Sequence, residues 1–271
     1  MWSSSFFWEL LAPLLITEST ADWIHLFQIN KYCRDLLKTF VKHYNLSITE
    51  FKTLNTESRL LHKDVRILTI DVDPDIKNDY ILHFCNLQSL VLHSYNQLYL
   101  PRTLRNLVFA AKNLHVEQLP LENVTTLKIY VNFKDIILNL QLFPNIQKCK
   151  IVCLLIDLNT ILHQPIICPS VEIIFAWDKI LPFYWFVNVL HLYLTDCSLL
   201  TTLKGIENLR LTSLTLYELR NLVDISQLLS QTNYLKQLTI TCCAKITNMS
   251  FILNALKPEC VVCYNSIQEI D

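Results

Sequence analysis

One short pattern, apolar-x-x-apolar-x-apolar, recurs along most of this chain and limits its possible folds more than any other feature. It reads Val65, Leu68, Ile70; Leu87, Leu90, Leu92; Leu104, Leu107, Phe109; Val124, Leu127, Ile129; and Ile146, Cys149, Ile151. It continues with Val171, Ile174, Ala176; Val189, Leu192, Leu194; Leu211, Leu214, Leu216; and Leu235, Leu238, Ile240. Successive starts lie 17 to 25 residues apart. The last two positions of each triplet alternate with period two, as in a short strand that buries one face. A period of about 20–29 residues leaves room to turn, run back and begin the next parallel strand. One unit cannot bury its apolar face alone, so the units must stack around a continuous core.

The expected fold class is therefore α/β: a solenoid with parallel strands on a concave face and a mixed helical and irregular convex side. The return segments favour helix unevenly. "DISQLLSQTNYLKQL", Asp224 to Leu238, opens with an Asp or Ser cap and carries Ile225, Leu228 and Leu229 on one helical face. The segments near Pro144, Pro165, Pro169 and Pro182 read as irregular or extended, because proline removes a backbone donor.

Composition narrows the function classes. The 271 residues contain a single glycine, Gly205, so neither a glycine-rich phosphate loop nor a dinucleotide fingerprint can be assembled. The formal net charge of -1 argues against a dedicated nucleic-acid binder. No run of the ~18 uncharged apolar residues needed for a membrane span is present, so no membrane partner is expected. The ten cysteines are scattered and several occupy repeat positions, which suits free thiols in the cytoplasm or nucleus. The apolar start "MWSSSFFWELLAPLLITES" lacks a basic leader and is interrupted by Glu9 and Pro13, unlike a secretory signal.

The repeated unit resembles the leucine-rich repeat. The fullest match is "VLHLYLTDCSLL", where Val189, Leu192, Leu194, Cys197 and Leu200 follow L-x-x-L-x-L-x-x-N/C-x-x-L. A second is "LKQLTITCCAKI", with Leu235, Leu238, Ile240, Cys243 and Ile246. The resemblance implies that the Asn or Cys side chain satisfies backbone groups in the turn leaving the strand. Elsewhere the position has drifted, to Tyr95 after Leu92 for example. About nine units are expected over residues 65–271, with 45–64 as a connector or capping segment.

Residues 6–44 carry a different signal. Trp23, Leu26, Phe27, Ile29, Cys33, Leu36, Leu37 and Phe40 recur at three- and four-residue steps, the spacing of an amphipathic helix capped by Asp22. A shorter apolar helix is expected over Leu10, Leu11, Leu14 and Leu15. "ELLAPLL", "DWIHL" and "INKYCRDLL" together resemble an F-box, the motif that docks onto the Skp adaptor of cullin–RING ubiquitin ligases. Glu9, Leu10, Leu11, Leu14, Asp22, Trp23, Leu26, Ile29, Lys31, Arg34 and Leu36 fall in register without a gap. Phe7 replaces the leading proline, Glu18 the last leucine of the first helix, and Cys33 the usual tryptophan. The resemblance implies a Skp-type adaptor and cullin ligase as partners, with Leu10, Leu11, Leu14, Trp23, Leu26 and Ile29 as the contacts. The alternative is a helical cap on the first repeat, which needs no partner.

Candidates for chemistry are few. Cys260 and Cys263 form a C-x-x-C downstream of Cys242 and Cys243, but Cys243 already has a repeat role and that upstream pair is adjacent rather than spaced, so no zinc is expected. The eight histidines form no H-x-x-x-H pair, and no serine has a nucleophile-elbow context. Neither catalytic residues nor a cofactor are expected. The spacing instead places Lys128, Tyr130, Phe175, Trp177, Tyr193 and Tyr217 on one concave wall, where aromatics beside a cation resemble an interface hot spot. Ordinary strand propensity would also account for them, and "FAWDKILPFYWF" would equally serve to pack a return segment.

Three readings follow. The first is a non-enzymatic receptor that holds an unknown protein substrate for a cullin ligase. The second is a repeat scaffold with a helical cap and no ligase link. The third is a secreted repeat protein whose leading apolar run is cleaved.

Overall fold

The computed structural model describes residues 43–46, 66–70, 85–95, 100–111, 120–131, 140–153, 156–162 and 164–265. The F-box-like stretch from residue 6 to 42, with all six proposed adaptor contacts, lies outside them. The chain divides into two compact units, one made of Met1–Ser94 and Leu98–Arg105 and the other of Tyr95–Gln97 and Asn106–Asp271.

In the first unit, β1 (His43–Leu46), β2 (Ile67–Ile70) and β3 (Ser89–Tyr95) are parallel neighbours. Leu68 pairs with Leu90, and both are fully buried. β1 precedes the first apolar triplet and has no counterpart in that pattern. Entry to β3 is fixed by one carbonyl: Arg66 O accepts from both Gln88 N and Ser89 N at 2.8 and 2.9 Å.

The second unit repeats this plan. Its strands are β4 (Asn106–Ala111), β5 (Thr126–Val131), β6 (Lys148–Cys153), β7 (Ile166–Ile167), β8 (Ser170–Ile174), β9 (Phe186–Val187), β10 (His191–Thr195), β11 (Ser213–Tyr217), β12 (Gln237–Thr241) and β13 (Val261–Asn265). β7 and β9 pair only with each other; the rest form a parallel sheet in the order β4-β5-β6-β8-β10-β11-β12-β13. Leu127, Cys149, Val171, Leu192, Leu214 and Leu238 share one register line and are buried. Ile129, Ile151, Ile173, Leu194, Leu216 and Ile240 form the next. This is a leucine-rich-repeat type of solenoid, built as the apolar period requires.

Many strand ends are tied to a neighbouring repeat, and those of β10, β11 and β12 are tied at both ends. At the entry, Thr125 O, Pro169 O, Leu190 O and Thr212 O each accept two N–H groups from the following repeat. At the exit, Phe175, Asp196, Glu218 and Cys242 adopt left-handed backbone, with φ of 58, 51, 53 and 55°. Each donates its N–H to the next strand's carbonyl, at Thr195, Tyr217, Thr241 and Asn265, over 3.0–3.1 Å. Glycine normally fills such positions. A chain with one glycine fills them with other residues.

Two expectations are corrected. The Asp224–Leu238 segment is not an α-helix: a 3-10 helix spans Ser226–Gln231, and Asp224 Oδ1 accepts from Ser226 N at 2.8 Å. Three residues per turn keep Ile225 and Leu228 aligned and buried, whereas Leu229 turns to solvent. The second correction concerns phase. β8 places Val171 and Ile173, not Ile174 and Ala176, beside Leu192 and Leu194. Val171, Ile173, Ile174 and Ala176 are all apolar, so two phases satisfy the pattern; the parallel ladder accepts only one.

The other return segments are short. Among the described residues they comprise 3-10 turns at Leu140–Leu142, Phe183–Trp185 and Ile206–Asn208, and the helices α1 (Leu158–Ile161) and α2 (Met249–Ala255). No helix among the described residues is long and apolar enough to cross a membrane.

Candidate functional site

Because side chains alternate along a strand, the residues between the two buried lines point to the opposite face of the second unit's sheet. Register fixes which ones align. Val108, Lys128, Lys150, Glu172, Tyr193, Thr215, Thr239 and Cys263 form one column. Tyr130, Val152, Ile174, Thr195, Tyr217, Thr241 and Asn265 form the next.

Four of the six residues expected on this wall stand in these columns: Lys128, Tyr130, Tyr193 and Tyr217. Phe175 and Trp177 do not. They lie beyond the end of β8, exposed to 40% and 44%, and the phase of β8 gives their column places to Glu172 and Ile174. Phe175 belongs instead to the left-handed exit turns, and the Trp177 N–H donates to Ile156 O at 3.1 Å. Glu172 is the residue that sequence spacing missed. Placing Val171 opposite Leu192 finds it, but that alignment needs the neighbouring strand.

The charged end of the face is internally organised. Lys128 Nζ lies 4.6 Å from the centroid of the Tyr130 ring, a cation–π contact. Lys150, the register partner of Lys128, pairs with Glu172 Oε1 at 2.7 Å. Neighbouring like charges in adjacent strands repel, and these two contacts disperse them. Toward β10–β12 the face carries no formal charge: Tyr193, Thr195, Thr215, Tyr217, Thr239 and Thr241 offer hydroxyls and ring faces. Beside it, the neighbouring Glu218 carboxylate raises the pKa of the Tyr217 phenol above its usual value.

Beneath the strand exits the cysteines are structural. Cys197 Sγ donates to Thr195 O at 3.5 Å, and Cys243 Sγ to Thr241 O at 3.3 Å and Leu216 O at 3.7 Å. Cys243 thus ties its exit turn to the preceding strand, and both thiols stand at the position where the sequence resemblance implies an Asn or Cys. Burial raises the Cys197 thiol to about 12 and also raises Cys149, Cys153, Cys168 and Cys243, so all remain protonated thiols at neutral pH. Among the described residues no group of three or more His, Cys, Asp or Glu is arranged to hold a metal.

No protein-family model matches the chain, and neither does any curated protein. Among solved structures, the chain is similar to the leucine-rich repeat domain of the type III effector XopL. The two are 17% identical, the match covers 88% of this chain and 84% of that one, and the TM-score is 0.42. The repeat architecture is carried by the register of the chain's own strands.

Proposed function

We propose that this chain is a protein-interaction scaffold that catalyses no reaction and grips a partner on the exposed face of its second unit's parallel sheet. The observation that carries this reading is the registered run of Tyr193, Thr195, Thr215, Tyr217, Thr239 and Thr241, in the same two columns as Lys128 and Tyr130. Tyrosine contributes large contact area with little conformational entropy to lose, and hydroxyls supply adaptable hydrogen bonds. Such a face suits a folded protein partner better than a small molecule, because it is broad rather than enclosed.

The finer form of the proposal makes the partner a substrate for ubiquitination. It is supported by the F-box-like register of Leu10, Leu11, Leu14, Trp23, Leu26 and Ile29, whose role would be to dock a Skp adaptor. The chain would then contribute proximity between substrate and ligase. Co-expression of the full chain with a Skp adaptor tests this directly. Co-purification that is lost on Leu10→Asp or Ile29→Asp supports the ligase form. Absence of adaptor binding at micromolar concentration removes it and leaves a scaffold with a helical N-terminal cap.

A further inference from the structure

A second surface lies apart from the strand columns, among residues that precede β10 and β11. The β7/β9 ribbon turns Ile166 and Phe186 inward and leaves their neighbours Ile167 and Val187 exposed, Ile167 to 60%. The adjoining 3-10 turn buries Phe183 edge-on against Phe186, with ring centroids 5.9 Å apart, and leaves Tyr184 65% exposed. Between this ribbon and the segment before β11 lies an open groove of about 650 Å³. Tyr184, Val187 and Leu190 form its exposed apolar lining, with Asn188 and Arg210 among its polar groups.

Two properties of this groove point to a ligand. Its volume falls within the range of about 300–1,000 Å³ typical of specific binding sites. Arg210 is the only charged group among the described lining residues, and its guanidinium lies 5.7 Å from the Tyr234 ring centroid. The ring restricts the guanidinium while leaving its fork of donors free for a planar anion.

We propose that this groove binds an extended segment of a partner protein that inserts one large apolar side chain and presents a carboxylate to Arg210. The apolar side chain covers the exposed Tyr184, Val187 and Leu190 surface, and the carboxylate matches the groove's lone cation by a bidentate charge-assisted pair. The inference does not rest on the sheet-face reading, since none of the groove residues named here stands in a strand column.

The test is a phage-displayed library of random heptapeptides panned against the full chain, with enriched peptides then synthesised and titrated. The expected consensus is a large apolar residue within a few positions of Asp, Glu or a free C-terminus. Arg210→Gln should weaken these peptides by about tenfold and erase the acidic preference while keeping the apolar one. Leu190→Asp should abolish both. Arg210 and Leu190 are exposed, so both variants should keep the parent melting temperature. No enrichment, a consensus without an acid, or equal binding by the parent and both variants overturns the proposal.

Discussion

Asp178 and Leu158 belong to successive return segments, and Asp178 Oδ2 accepts the Leu158 N–H at 2.8 Å. Asp178 Oδ1 also accepts from Asn159 Nδ2 at 2.7 Å. The carboxyl is buried and hydrogen-bonds the Asp157 side chain, the N-cap of α1. Burial first, and then Asp157, raise the Asp178 pKa to about 7. The same hydrogen bond, with those from Asn159, lowers Asp157.

This pair makes folding pH-dependent in an unusual direction. Between the ordinary Asp value of about 4 and a pH of about 7, the folded chain holds a proton on Asp178 that the unfolded chain has released. Its contribution is therefore full below that ordinary value and is lost as pH rises through about 7. Asp157 acts oppositely, but only near and below its own ordinary value. Asp178→Asn keeps an acceptor for Leu158 N and a donor for Asp157 without titrating. Urea unfolding from pH 4.5 to 7.5 should show the variant gaining on the parent as pH rises. Parallel profiles would contradict the shared proton.

Gln231 is the buried polar link between the returns that follow β10 and β11. Its Oε1 accepts from Leu211 N at 3.0 Å, and Nε2 donates to Ile206 O and Leu209 O at 3.0 and 2.9 Å. Gln231→Leu preserves bulk but strands the Leu211 N–H and the Leu209 carbonyl, while Ile206 O keeps the Leu209 N–H at 3.0 Å. The expected loss is about 1–3 kcal/mol by chemical denaturation. A loss below about 0.5 kcal/mol would show that the backbone groups find other partners.

The left-handed exit turns can be tested one at a time. Glu218 has φ 53°, and its N–H donates to Thr241 O at 3.0 Å. Glu218→Gly should be neutral or stabilise by up to about 1 kcal/mol, because glycine adopts this backbone freely. Glu218→Ile should cost about 1–2 kcal/mol, since a β-branched side chain suits this conformation least. The reverse order in thermal melts would show that the conformation at Glu218 carries no strain.

The sheet face should separate binding from stability. Tyr193→Ala, Tyr217→Ala and Trp177→Ala alter exposed side chains and should change stability by less than about 0.5 kcal/mol. Leu214→Ala, at a fully buried register position, should cost about 2–5 kcal/mol. Once a partner is in hand, its affinity should fall with the two tyrosines. Trp177 is the discriminating case: it is exposed beyond β8 rather than in a column, so an unchanged affinity would confine the interface to the strands. A large drop in its melting temperature would instead give Trp177 a packing role.

Much of this architecture was legible from apolar spacing alone. Leu192, Leu194, Leu214, Leu216, Leu238 and Ile240 are buried where the pattern requires, and Cys197 and Cys243 occupy the turn positions implied by the resemblance. Spacing works for these strands because their outward positions are Tyr or Thr, so only one phase buries the apolar residues. At β8 the code is degenerate, and that degeneracy misplaced Phe175 and Trp177 on the sheet face.

The sequence by itself determined that parallel strands recur every 17 to 25 residues, which side of most of them is buried, and that the turns must form almost without glycine. Tertiary structure alone decided the phase of β8, the 3-10 form of the Ser226–Gln231 return, and the partners of Gln231 and Asp178. The physical reason is common to all of these. A strand's buried face can be read from period-two alternation within its own few residues. The acceptor of a turn's N–H, or the neighbour that selects a strand's phase, lies about one repeat away in the chain, in a segment whose position exists only once the units have stacked.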